Sequence, residues 1–340
     1  MRKMKIVTPM LWGFCWAAGL AAVPNPTVTG PIPANAAPGD PSHDYPFFCT
    51  TTDLARYGYV EQEFFVDGTA NRYRTPSLAT GSIIDSGHPY RTRIVVRRPA
   101  SPDRFSGTVV MEVYANGPDY EHDAFWVDSP DHFMRRGYAW IGVSVLRLGV
   151  HQPVTGLKDW SPLRYGTLDV TESGKILDDS LSYDIISQAA QAVRSPVGID
   201  PMGGLHVERL FAAGGANAAT RLALYLNSIH PLAGVFDAFI FAAGGGQVRP
   251  DLGVKVYKIL TETNVAGNQA AIRQPDSDHF RSWEVAGSAT VDYRMAQGLA
   301  PLQARDNVPP ASASDCSAPP LSRIPFYMAA NAAIDHMVHW

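Results

Sequence analysis

Cysteine is scarce in this chain: Cys15, Cys49 and Cys316 are the only three in 340 residues. No metal-ligand spacing of Cys and His accompanies them, so no metal is expected and a disulfide-dense miniature scaffold is excluded. Surplus charge is also lacking. Lys and Arg number 28 against 32 Asp and Glu, and the formal net charge is −4. Only isolated basic pairs occur, such as Arg97-Arg98 and Arg135-Arg136. The basic footprint of a nucleic-acid-binding surface is therefore missing, and nucleic acid is not expected as a partner. The dinucleotide fingerprint G-x-G-x-x-G is absent as well, and no cofactor is expected. There are no internal repeats.

Apolar residues are plentiful, at 46% against 18% charged. A chain of this length can bury one large core, and a single domain with insertions is the expectation. At the amino terminus, Arg2, Lys3 and Lys5 precede an apolar stretch from Ile6 to Val23 and then a Pro-rich polar segment with Ala34-Asn35-Ala36. This order reads as a secretory signal, cleaved after Ala36 or earlier near Ala22. A membrane anchor competes, but Pro9 and Gly13 interrupt the apolar stretch, so no stable anchor is expected after removal. The expected organisation is a signal and linker over 1–36, an extended segment over 37–57 and the main domain over 58–340. The exported protein would be extracellular or periplasmic. Its remaining Cys49 and Cys316 would then tend to pair, closing a long loop for roughly 4 kcal/mol on the chain-entropy account.

The next segments alternate strand and helix patterns. Val60 to Val66, Asp67-Gly68 and Arg72 to Thr75 read as an antiparallel hairpin turning at Asp67-Gly68. Thr92 to Arg97 is β-rich, and Thr108 to Tyr114 is a near-continuous apolar run suited to a sheet covered on both faces. A short helix over His132 to Arg136 ends at Gly137, and Tyr138 to Val145 is a strand. Residues 146–176 lack period and form a long insertion, expected to shape a lid or pocket wall. Asp179 to Val193 has helical spacing; Val235 to Ala242, Val254 to Leu260 and Trp283 to Ala286 are strands. The tail from Ile324 to Trp340 is an amphipathic helix with no stop signal, as if the chain broke off inside it. This alternation predicts an α/β fold: a mostly parallel central sheet flanked by helices, an amino-terminal antiparallel hairpin and a long insertion.

The stretch that organises the rest is Leu210 to Leu222, in which an apolar run reaches Gly214-Gly215-Ala216-Asn217-Ala218 and passes straight into a helical pattern. That is the frame of a nucleophile elbow, G-x-S-x-G, whose flanks must be small because the turn is tight. The nucleophile position here is Ala216. A methyl group has no lone pair, so covalent catalysis from it is impossible.

Several ordered segments carry a resemblance to a known family. They include Gly68-Thr69-Ala70-Asn71, Tyr90-Arg91-Thr92-Arg93, Gly107 to Glu112, Arg136 to Ser144 and Trp283-Glu284-Val285-Ala286-Gly287. Together they resemble the α/β-hydrolase domain family of secreted and bacterial esterase-like proteins, from about residue 58 to the end. The resemblance implies an α/β-hydrolase fold, an ester-hydrolase ancestry and the order nucleophile, acid, histidine. The family's elbow looks like Gly-x-Ser-Gln-Ser, with Ala216 here at the serine. The acid position falls on Glu262, with Asn264 as the alternative where the family tends to have Asp, and the histidine position falls on Thr290. An oxyanion hole would form from the backbone N–H of Asn217 and one from Asn116 or Gly117.

The expected function is thus a scaffold of the ester-hydrolase type with a degenerate triad, binding a small apolar or ester-like ligand with little or no hydrolysis. An active ester hydrolase seen as an inactivated variant is the alternative. Acid–base chemistry by Glu262 in the same pocket is another. Ser228, Ser288, His206, His230 and His279, the last beside Asp276 and Asp278, are stand-ins only if loops bring them close.

Overall fold

A computed structural model describes residues 23–117, 120–310 and 321–340. Nine strands form one sheet: β1 (Thr27–Thr29), β2 (Tyr59–Arg74), β3 (Ser82–Pro99), β4 (Thr108–Val113), β5 (Ala139–Val143), β6 (Arg209–Gly215), β7 (Ala238–Ala242), β8 (Lys255–Thr261) and β9 (Phe280–Val285). Their spatial order is β1-β2-β3-β5-β4-β6-β7-β8-β9. The first three strands and the β3–β5 pair are antiparallel, and every pair from β5 to β9 is parallel.

The α-helices are α1 (Ala124–Asp128), α2 (Pro130–Arg136), α3 (Arg147–His151), α4 (Leu157–Trp160), α5 (Pro162–Tyr165), α6 (Ser182–Arg194), α7 (Ala216–Leu224), α8 (His230–Ala233), α9 (Glu262–Ala266), α10 (Tyr293–Arg305) and α11 (Phe326–His339). They cover both faces of the sheet, which is why the central strands read as unbroken apolar runs: all of β4, β5 and β7 is buried. Alternate residues serve the two layers. Val109, Met111 and Val113 pack into the core that contains α6 and α7. Val110, Trp140 and Phe211 pack into the other, with Phe133, Ile334 and Met337. A fold of this kind places ligands beyond the carboxyl ends of its parallel strands.

The hairpin is present, but its turn is elsewhere. β2 runs straight through Asp67-Gly68 and pairs with β3 from Tyr59↔Pro99 to Arg74↔Ser82. Gly68 is needed for close approach, not for turning: a Cβ there would sit 2.5 Å from Gln188 Oε1 and 2.8 Å from the Tyr90 ring. A second departure concerns the start of the chain. Residues 1–22, which hold most of the expected signal, lie outside the described residues, but 27–29 form β1 in the sheet with Val28 buried. Cleavage after Ala36 would remove this strand, whereas cleavage near Ala22 would spare it.

The segment over 37–57 is packed, not loose: Tyr45, Phe47 and Phe48 are buried, and Tyr45 Oη donates to Asp306 Oδ1 at 2.9 Å. The insertion over 146–176 serves mainly this segment. Trp160 stacks on His43 at 4.3 Å and meets Phe47 edge-on at 4.8 Å, and Arg164 pairs with Asp44 at 3.3 Å. The expected disulfide is not found among the described residues: Cys49 is a free, buried thiol, pushed up to about 12 by burial, and Cys316 lies outside them. Among the described residues no helix is long and apolar enough to cross a membrane.

Candidate functional site

β6 enters the elbow in extended conformation at Gly215 (φ −104°, ψ 150°), and Ala216, the first residue of α7, takes φ 48°. A left-handed conformation at an alanine is strained by roughly 1–2 kcal/mol and persists only where its surroundings enforce it. The enforcement is visible. A Cβ at Gly214 would stand 2.9 Å from Leu222 Cδ1 and 3.0 Å from the Ala218 backbone. The strand therefore has to run tight against α7 and turn sharply at residue 216.

The elbow opens into a cavity of about 400 Å³ at the carboxyl ends of the parallel strands, lined mainly by apolar groups. Ala216, Asn217, Asn116, Gly117 and Thr290 all line it. Asn217 Nδ2 donates to Asn116 Oδ1, tying together the two segments expected to form the oxyanion hole. Ala216, at the expected nucleophile position, and Thr290, at the expected histidine position, thus line one cavity.

The acid positions are not among the lining residues. Glu262 is exposed, and its Oε2 accepts from the Gly287 N–H at 2.6 Å while its own N–H donates to the Ser288 carbonyl at 3.2 Å. Its carboxylate is thus engaged by the 287–290 loop. Asn264 caps α9: its Oδ1 accepts from Thr261 N and Oγ1 at 3.0 and 2.7 Å, and its Nδ2 donates to the Ala243 carbonyl at 3.2 Å. The stand-in residues are elsewhere too. Ser228 and Ser288 donate to backbone carbonyls, and His206, His230 and His279 do not line the cavity.

One imidazole does reach it. His122 lines the cavity with Asp128 and Ser129, and the sequence pattern gave no hint of this. Its neighbours explain the placement. Glu121 is drawn under the loop by Arg93 (3.3 Å) and Ser144 (2.6 Å), and Asp123 is paired with the buried Arg97, which also holds Glu61 at 2.6 Å. With residues 121 and 123 pulled toward the sheet, the side chain between them points the other way. Burial pushes the His122 imidazole down to about 4, the Tyr120 carbonyl opposing this only in part, so the ring is neutral near pH 7. His122 Nδ1 and Ser129 Oγ are both without a hydrogen-bond partner, so this atom pair does not form a serine–histidine dyad. Beneath the loop, Glu112 receives the Phe125 N–H and Trp140 Nε1–H, and burial raises its carboxyl to about 8. Among the described residues no cluster of His, Cys, Asp and Glu is arranged to hold a metal ion.

The sequence pattern of the family described as "Alpha/beta hydrolase domain" matches residues 28–340. No curated protein matches the chain. Among solved structures, it is similar to an α/β serine hydrolase without a lid from Xanthomonas campestris (13% identity, TM-score 0.37, covering 70% of this chain and 94% of that one). It is also similar to a glucuronoyl esterase from Solibacter usitatus (9%, 0.39, 73% and 82%). A third is a dienelactone hydrolase from Anabaena variabilis (14%, 0.38, 70% and 96%).

Proposed function

The chain belongs to the alpha/beta hydrolase domain family, and from that premise we propose that it is a member that binds a small apolar or ester-like ligand without cleaving it. The observation that carries this reading is Ala216 at φ 48° on the sharp turn between β6 and α7, facing the cavity. A serine there would present its hydroxyl to a bound carbonyl. Alanine presents a methyl group, which cannot attack. A serine hydroxyl also needs a base to take its proton, and Thr290 cannot do so near neutral pH. The residues around the missing chemistry remain: the small elbow flanks, the Asn116 and Asn217 segments and the apolar walls.

Ligand binding in such a pocket draws on burial of apolar surface, at about 25 cal/mol per Å², with a few polar groups fixing orientation. We propose in addition that the chain is exported, on the strength of its basic start and the apolar stretch from Ile6 to Val23, with cleavage near Ala22 so that β1 stays in the sheet. Amino-terminal sequencing of the exported protein tests that part, and a mature chain starting beyond Thr29 would overturn it. The functional reading is tested by incubating the purified chain with p-nitrophenyl acetate and butyrate. Release of p-nitrophenol at the buffer rate is expected, and turnover that saturates with substrate would overturn the reading.

A further inference from the structure

Four polar atoms of residues that line the cavity have no hydrogen-bond partner: His122 Nδ1, Asp128 Oδ1, Ser129 Oγ and Asn331 Oδ1. His122, Asp128 and Ser129 are 8%, 7% and 4% exposed. Leaving such groups buried and unpaired costs about 1–3 kcal/mol each, so four of them in the lining of a single cavity point to a ligand that satisfies them. Their chemistry restricts it. Asn331 Oδ1 only accepts, and the neutral imidazole accepts at one nitrogen. Ser129 Oγ does both. The ligand must therefore bring at least one donor.

Charge narrows the choice further. Among the described residues no Lys or Arg lines the cavity, so an anionic headgroup would be desolvated without compensation. The Asp128 carboxyl is held well above the usual carboxylate range by burial and then by the neighbouring Asp292, so added negative charge beside it is disfavoured. A cationic headgroup fares no better: Asp128 is the one carboxyl among the described lining residues, and its charged form is the one that burial disfavours. The rest of the lining, including Leu148 and Met295, is apolar.

We propose that the cavity takes an uncharged amphipathic alcohol, its hydroxyl seated among His122, Asp128, Ser129 and Asn331 and its hydrocarbon body along Leu148 and Met295. This rests on the reading of the protein as a non-cleaving ligand binder and narrows its ligand to one that carries a donor, which an ester or a hydrocarbon lacks. Calorimetric titration of the intact chain at pH 7 with octan-1-ol, octanoate and octylammonium tests it. The alcohol binds, and each ion binds at least about tenfold more weakly, a difference of about 1.4 kcal/mol. In the Ser129→Ala and Asn331→Leu variants the alcohol loses about fivefold or more in affinity, as expected for one lost hydrogen bond. Equal affinity for octanoate or octylammonium would overturn the proposal, as would no binding of any of the three. Because the ligand series is read on the unaltered chain, misfolding of a variant does not blur the result. Ester turnover is measured separately, so a chain that cleaves esters yet prefers the alcohol would refute only the non-cleaving reading.

Discussion

Placing a serine and a histidine at the two positions proposed to have lost them is the sharpest perturbation of this site. Ala216 and Thr290 line the same cavity, and the turn that holds residue 216 is already formed. Ala216→Ser with Thr290→His should therefore produce an ester-cleaving pair. The expected gain follows from what each member of such a triad contributes. Losing the nucleophile or the base costs about 2 × 10⁶ in turnover, and losing only the orienting carboxylate costs about 3 × 10⁴. A pair without its carboxylate thus keeps roughly 10²-fold over the empty site, or about 2.7 kcal/mol of barrier. No carboxylate is in place here, because Glu262 is engaged by Gly287 and Asn264 carries an amide. Initial rates on p-nitrophenyl butyrate for the natural chain, each single variant and the double variant measure this. The single variants stay at the natural chain's level, because the two groups act as a unit, and the double variant rises by roughly 10². Adding Asn264→Asp raises it further. The reasoning is refuted if Ala216→Ser alone matches the double variant, or if the double variant folds with unchanged circular dichroism and shows no gain.

Other outcomes follow from the surroundings of the site. Arg97→Met strips the buried Asp123 of its guanidinium partner and Glu61 of one at 2.6 Å, so it should destabilise the fold by about 3–5 kcal/mol in urea titration, with Asp123→Asn recovering part of the loss. Gly214→Ala drives a Cβ to within 2.9 Å of Leu222 Cδ1 and 3.0 Å of the Ala218 backbone; a loss of about 1–3 kcal/mol is expected from overpacking, read as a lowered Tm. His122 carries a pH signature: its folded value is depressed to about 4 from an ordinary 6.5, so the neutral ring's contribution is whole above pH 6.5 and is lost as pH falls toward 4. That window holds up to about 3 kcal/mol at about 1.4 kcal/mol per unit, and Tm against pH should fall less steeply in His122→Asn.

How much of this was legible beforehand depends on how local each signal is. The elbow was legible because its demand for small residues is met within five positions, Gly214 to Ala218. The central strands were legible because burial on both faces leaves unbroken apolar runs. Asp67-Gly68 misled because glycine serves close packing as well as turns, and only the distant Gln188 and Tyr90 show which applies. The three residues of β1 are too few to carry a pattern. His122 was invisible because its direction is set by Arg93 and Arg97, which grip its neighbours from a strand more than 20 residues earlier. Glu262 directly follows β8, but what its carboxylate binds depends on the Gly287 N–H of a loop 25 residues later, which no local pattern shows.

The central claim is that the chain keeps a hydrolase cavity and has lost the atom that attacks. Exposing the natural chain to a fluorophosphonate, which labels activated serine hydroxyls, and weighing it by mass spectrometry tests this most directly. The account predicts an unchanged mass, with a single adduct at position 216 appearing only in the Ala216→Ser, Thr290→His variant. A stoichiometric adduct on the natural chain, at Ser129 or any other serine, would contradict it.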